Sequence, residues 1–230
     1  MALVHYSFDL WFTLIKSNPS FKIKRVEYFF ENFNFKKIPI EKIKFIFRQV
    51  DLMCNTINQR TGGNLTSDEM YLMVLYLINE DEDLIYKVDL QEIQKQMEKL
   101  FFLYSPTLFD ENTYNVLDVL KRREKTLSIL SNTAFIKGNA LRSLLGVLKI
   151  EHFFNFQIYS DEIGVSKPNK DIFLLMHENI NKIWNQSVPF DNIVHIGDNK
   201  ISDSNGASQY GISTFLLNTN ENNILGVLNL

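Results

Sequence analysis

Ser7-Phe8-Asp9-Leu10-Trp11-Phe12-Thr13-Leu14 is the stretch whose reading decides the fold. Apolar residues from Leu3 to Phe8 read as a buried strand, and Asp9 stands where that strand ends. In open parallel α/β sheets, ligands bind in the crevice outside the carboxyl ends of the strands. An acidic side chain at the tip of the first strand is therefore placed for chemistry. Asp also begins many turns with no further role, so Asp9 takes its weight from its company. Three more polar clusters follow at later strand ends or in the loops after them: Ser131-Asn132-Thr133, Lys167-Pro168, and Gly197-Asp198 with Asp203.

Working outward from Asp9, Ile15-Lys16-Ser17-Asn18-Pro19-Ser20 reads as a polar loop, after which the sequence changes character. Phe21–Phe33, Ile40–Asn58, Ser67–Asn79 and Val88–Phe102 each repeat apolar residues at helical spacing; Ile43, Ile46, Phe47, Val50, Met53 and Cys54 fall on one face. Lys37-Ile38-Pro39, Thr61-Gly62-Gly63-Asn64 and Asn79-Glu80-Asp81-Glu82 read as turns between them. From Pro106 an α/β rhythm returns. Strands are expected at Thr126–Leu130, Asn155–Ser160, Asn192–Ile196 and Thr214–Leu217, with helices at Asn112–Arg123, Lys137–Leu145, Lys170–Asn181 and Asp203–Tyr210, then an Asn-rich loop at Asn218–Asn223. Alternating strands and helices predict a doubly wound parallel sheet with a Rossmann-type α/β core over 1–16 and 105–230, and an inserted all-α domain over 17–104.

The 230 residues carry a net charge of −3 with no basic block, which gives no support to nucleic acid or an anionic membrane as partner. The longest apolar run, Met70 to Ile78, falls short of a membrane span, and the N-terminus lacks a leader pattern, so a cytoplasmic protein is expected. Cys54 is the sole cysteine and sits on an apolar helix face, as a structural thiol does.

Asp9-x-Trp-x-Thr13, Ser131-Asn132, Lys167-Pro168 and Gly197-Asp198-x-x-x-x-Asp203, in that order, resemble the haloacid dehalogenase-like hydrolase superfamily. The likeness is closest over Leu144–Gly211. There Phe153-Phe, Ser160-x-Glu162-x-Gly164-x-x-Lys167-Pro168 and His195-Ile-Gly-Asp198 with Gly206-Ala207 look like its phosphatase branch. The helical insert matches the family's first cap type in placement.

The chemistry of the clusters agrees with that resemblance. Asp9 is expected as a carboxylate nucleophile that attacks phosphorus, splitting one displacement into two. Thr13 would hold the turn and hydrogen-bond the nucleophile's surroundings. Ser131 and Asn132 would hold phosphoryl oxygens and Lys167 would neutralise their charge. Asp198 would bind a hard cation, with Asp203 behind it or acting through water. Asp9, Asp198 and Asp203 against Lys167 sum to −3 + 1 = −2, and a phosphate adds roughly −2 more. A divalent cation is needed to offset this, and Mg²⁺ suits an all-oxygen shell. The resemblance implies one more ligand, the backbone carbonyl of Trp11. Asp203, Ser202 or Ser204 also fits a plain helix cap, and His195 fits a packed core histidine better than a base.

Trp11 departs from the family phosphatases, which carry a second Asp there to protonate the leaving alcohol. That help is typically worth about 10²–10⁴-fold. Three readings follow: a phosphatase of small phosphorylated molecules that manages without that Asp; a 2-haloacid dehalogenase, whose halide leaves unprotonated but whose branch replaces the Asp198 carboxylate; and a non-catalytic binder of phosphate and metal. Substrate choice is expected from the helical insert closing over the crevice, and Arg60, Arg48 and, in the hinge loop, Lys16 are basic candidates for contacting an anionic substrate. Tyr28, Phe29, Phe30 and Phe33 fit core packing better than a pocket lining.

Overall fold

A computed structural model describes residues 3–217 and 222–230, so the expected Asn-rich loop lies outside the described residues except for Asn222 and Asn223. Five parallel strands form one sheet: β1 (His5–Phe8), β4 (Thr126–Ser131), β5 (Phe156–Tyr159), β6 (Ile193–Gly197) and β7 (Ser213–Leu216), in the order β5-β4-β1-β6-β7. The chain winds from β1 outward to β5, then crosses back to lay β6 and β7 on the other side. That is the doubly wound arrangement.

Register is what builds the site. Phe8 of β1 lies opposite Ile129 of β4 and Ile196 of β6. Asp9, Leu130-Ser131 and Gly197-Asp198 therefore leave the sheet at the same edge, and the Asp9 amide still donates to the Ile196 carbonyl at 2.8 Å. The alternation of period two sends Ile129 to one face and Leu130 to the other. On the first face pack α6 (Thr113–Arg122) and α7 (Gly138–Val147), and on the second α9 (Lys170–Trp184). Two short helices complete this part, α8 (Ser160–Ile163) and α10 (Gly206–Ser208).

Between β1 and β4 the helical insert comprises α1 (Pro19–Phe33), α2 (Ile40–Thr61), α3 (Ser67–Asn79), α4 (Glu82–Lys87) and α5 (Leu90–Leu103). Their apolar stripes close on one another around Phe29, Ile43, Phe47, Val50, Tyr71 and Val74. α1 starts where Asn18 accepts from the Ser20 amide, two residues earlier than the apolar spacing begins. Two features depart from expectation. The turn at Asn79–Glu82 runs on into α4, capped by Asp81 and without a buried residue to announce it. The loop after Leu14 contains β2 (Ile15–Lys16), which pairs antiparallel with β3 (Thr107–Leu108), because Ile15 is buried. This ribbon ties the two connections of the insert together at its base. Among the described residues no helix is long and apolar enough to cross a membrane.

His5 is fully buried in β1, with its ring nitrogens on the Thr126 and Ser128 hydroxyls at 2.8 and 2.9 Å. Burial pushes its pKa down to about 3, so the folded protein holds it neutral. The unfolded chain then binds the extra proton below the ordinary histidine value, and stability falls as pH drops from about 6.5 toward 3. Urea unfolding between pH 4.5 and 6.5 should show wild-type stability falling more steeply with acid than that of His5→Gln, by up to about 1.4 kcal/mol per pH unit. Equal slopes would contradict this.

Candidate active site

Lys167 is 1% exposed, and its ammonium donates to Asp9 Oδ1 at 2.8 Å, Asp203 Oδ1 at 2.6 Å and the Leu130 carbonyl at 2.6 Å. All three protons are thus committed. Burial works against its charge, but Asp203 and Asp9 outweigh that and hold the pKa above its ordinary value. Burial likewise opposes ionisation of Asp203, yet Lys167 and His195 keep its carboxyl well below the usual range. His195 is buried, and burial first, then Lys167, pushes its pKa down. A carboxylate only accepts, so the neutral ring is assigned an Nε2–H donated to Asp203 Oδ1 at 3.2 Å, with Nδ1 accepting from Ser7 Oγ at 3.0 Å. The second Asp203 oxygen accepts from the Asn199 amide at 2.9 Å.

Asp203 does not cap the following helical turn. Asn199 does, accepting from the Ile201 and Ser202 amides at the start of the wide π-type turn Lys200–Asn205. Gly197 makes room for this arrangement: a Cβ there would lie 2.3 Å from Asp203 Cγ.

Asp9, Asp198 and Asp203 each offer an oxygen, all within 4.8 Å of one another. Burial raises the Asp9 carboxyl, with Asp203 and Asp198 adding to the rise and Lys167 opposing it. Burial and Asp203 push Asp198 up to about 6. Three carboxylates facing one ammonium, with two of the acids raised, form a donor set that fits a hard divalent cation.

The sheet edge opens into a cavity of about 500 Å³ beneath the insert, lined by Asp9, Trp11, Asn132, Lys167, Asp198 and Asp203, among others. Thr13 lies below it and donates to Asp9 Oδ2 at 3.3 Å. Ser131 is fully buried at the end of β4, its hydroxyl donating to the Asn132 carbonyl at 3.1 Å. Asn132 clamps the Lys167 backbone in both directions, donating to its carbonyl at 2.9 Å and accepting from its amide at 2.7 Å. Phe12, in the turn after Asp9, has φ 58°, a left-handed conformation that an L side chain adopts at a cost of roughly 1–2 kcal/mol.

A model of the haloacid dehalogenase-like hydrolases matches residues 6–217. The chain belongs to this family. Curated relatives match only in part: the Escherichia coli 5-amino-6-(5-phospho-D-ribitylamino)uracil phosphatase YigB is 31% identical over 100 residues, 42% of this chain and 38% of that protein. The chain thus spans about two-fifths of the length of the curated relatives it matches. The magnesium-bound HAD-hydrolase YfnB of Bacillus subtilis superposes with a TM-score of 0.69 at 17% identity, covering 95% of this chain and 90% of that one. The L-2-haloacid dehalogenase of Xanthobacter autotrophicus, with chloropropionic acid covalently bound, gives 0.58 at 15%, covering 95% and 80%. At such identities the superpositions establish the HAD fold, and phosphatases and dehalogenases both lie near it.

Among the basic candidates, Arg48 lines the cavity, whereas Arg60 is exposed outside it and Lys16 reaches the Phe109 carbonyl at 3.4 Å. Phe29 is core, and of the aromatics it is Phe21, Phe101, Tyr104 and Phe135 that face the cavity with Trp11 and Phe12. The Gly62-Gly63-Asn64 turn is docked on the core. Gly63 bridges to Val165, the Ser166 amide donates to the Gly62 carbonyl at 3.0 Å, and Asn64 Oδ1 accepts from Ser160 at 2.6 Å and Ser166 at 3.1 Å. This turn abuts the segment that ends in Lys167. Its partners are about 100 residues away in sequence, so only the fold reveals the contact. Cys54 is buried and its thiol is pushed up to about 11 by burial, in keeping with a structural role.

Gly197→Ala should displace the Asp203 side chain and lower stability by about 1–3 kcal/mol, read from the urea midpoint. An unchanged midpoint would show that Asp203 is less tightly held than its contacts indicate.

Proposed function

We propose that this HAD hydrolase is a Mg²⁺-dependent phosphatase of small phosphorylated molecules, acting through an aspartyl-phosphate on Asp9. The observation that carries the reading is the retained Asp198 carboxylate, close to Asp9 and Asp203 in an open cavity. Asp9 uses one carboxylate oxygen to attack phosphorus while the alkoxide departs, and water later attacks the acyl-phosphate to free phosphate and Asp9. Lys167 offsets charge on the transferring group, and backbone amides of the Asn132–Thr133 segment that lines the cavity would hold its oxygens, with Ser131 joining them only if its hydroxyl turns away from the Asn132 carbonyl. Asp9, the Trp11 carbonyl and Asp198 would hold Mg²⁺, with Asp203 behind them, and the ion supplies the positive charge that the cluster lacks. Thr13 holds the Asp9 carboxylate in place through the turn.

The proton for the leaving group is the step in question, since Trp11 has none to give. The helical insert, acting as cap over 17–104, brings a single carboxylate to the cavity lining, Asp51, whose Oδ2 is 3.7 Å from Arg48. Asp51 in its acid form is therefore our candidate for giving the leaving alkoxide its proton, which the water that later attacks the acyl-phosphate returns to it. The dehalogenase reading draws on Trp11 alone, because halide needs no proton, and it leaves Asp198 without work. The open cavity beside Trp11 weighs against a binder in which that side chain fills the leaving-group space.

Phosphate release from a panel of alkyl and aryl phosphates tests this. With Mg²⁺ the wild type should turn over, Asp9→Asn should be at background, and chelator should abolish activity. Asp51→Asn should slow alkyl phosphates by about 10²-fold or more and p-nitrophenyl phosphate far less. No release above Asp9→Asn would sink the proposal, and halide release from 2-chloropropionate persisting in chelator would replace it.

A further inference from the structure

Arg25 lies on α1 at the position where the stripe Phe21, Val26, Phe29 turns inward, and it is 8% exposed. Its guanidinium carbon stands 4.3 Å over the Phe47 ring and 4.4 Å over Phe135, with Phe21 at 5.5 Å. Phe47 belongs to α2 of the insert and Phe135 to the loop after β4, so the cation sits at the junction of insert and core. Among the described residues it makes no ion pair; its guanidinium hydrogen-bonds the Tyr71 side chain, and its Nε is buried without a hydrogen-bond partner. The one carboxylate of the insert in the same cavity, Asp51, lies against Arg48 instead. Ring faces compensate a desolvated cation only in part, and a buried charge without a counter-ion is costly. Burial accordingly lowers the Arg25 pKa, with Tyr71 and Asp51 acting the other way.

Arg25 also lines the cavity that contains Asp9. A cation kept uncompensated beside a binding site is a site for the ligand's own anion. The nature of that anion follows from the surroundings. Phe47 and Phe135 lie over the guanidinium and Tyr71 takes part of its hydrogen-bonding capacity, so a ligand would use the N–H groups that remain, the unpartnered Nε among them. A planar carboxylate matches that edge in a bidentate way.

We propose that Arg25 determines specificity by binding a carboxylate carried on the leaving-group part of the substrate. The substrate class is then a phosphomonoester of a hydroxy acid. The reaction rests on the phosphatase reading above, but the carboxylate site does not.

Titration calorimetry on the full chain with Mg²⁺ separates the two. The probes are ω-carboxyalkylphosphonates of two to four carbons, each paired with the alkylphosphonate of equal length. One length should bind about tenfold or more tighter than its uncharged partner to the wild type. Arg25→Met should erase that difference while leaving the alkylphosphonate affinity within a few-fold, and Arg25→Lys should keep part of it. Equal affinity within every pair, or a loss in Arg25→Met that is the same for both members, would overturn the proposal. If no phosphonate binds, the phosphatase reading fails, and propionate decides the carboxylate site alone. It should raise the melting temperature of the wild type and not that of Arg25→Met. No shift in either overturns it.

Discussion

The buried Lys167 ammonium is the constraint around which the site is built. It reaches Asp9 from β1, Asp203 from the turn after β6 and a carbonyl of β4, so one side chain ties together three of the chain's segments at the sheet edge. Without it, Asp9 and Asp203 would face each other as like charges in a desolvated space, and breaking such a buried pair typically costs about 3–5 kcal/mol. Lys167 is itself held from both sides. Asn132 grips its backbone, and the Gly62–Asn64 turn of the insert grips the residues before it. The helical insert is thereby coupled to the centre by hydrogen bonds, not merely laid over it.

One ammonium does not balance the cluster. Burial raises Asp9 and Asp198 together, the behaviour of carboxylates that lack a full complement of positive charge. In the function proposed here a divalent cation would correct that deficit at the sheet edge, and an anionic group of the substrate would answer the lone cation at Arg25. The two deficits lie along the wall of one cavity. They match a molecule with a phosphoryl group at one end and a carboxylate at the other.

Much of the architecture was legible in the sequence because periodicity carries it. Strands of period two, helical stripes and the order of four polar clusters all reduce to one parallel sheet whose strand ends coincide. Asp9 was legible for that reason, at the end of a strand, whereas Lys167 and Asp203 stood out only through the family resemblance, since alone they read as a solvated loop residue and a helix cap. What stayed hidden has physical causes. β2 and β3 are two residues each, too short to show a period, and α4 buries nothing. Asn64 looked like part of a turn, since its partners Ser160 and Ser166 are distant in sequence. Arg25 lay inside an apolar stripe, where a single basic residue among Phe21, Val26 and Phe29 was the signal that went unused. Arg60 and Lys16 drew attention by charge alone, and neither faces the cavity.

The most direct measurement of the central claim is the state of Asp9 during turnover. Wild-type protein mixed with p-nitrophenyl phosphate and Mg²⁺, quenched in acid and digested, should yield the Asp9 peptide with a phosphoryl mass increment in the mass spectrum. The increment should be absent with chelator and in Asp9→Asn. Phosphate release with no adduct on Asp9, or an adduct on another residue, would contradict the account.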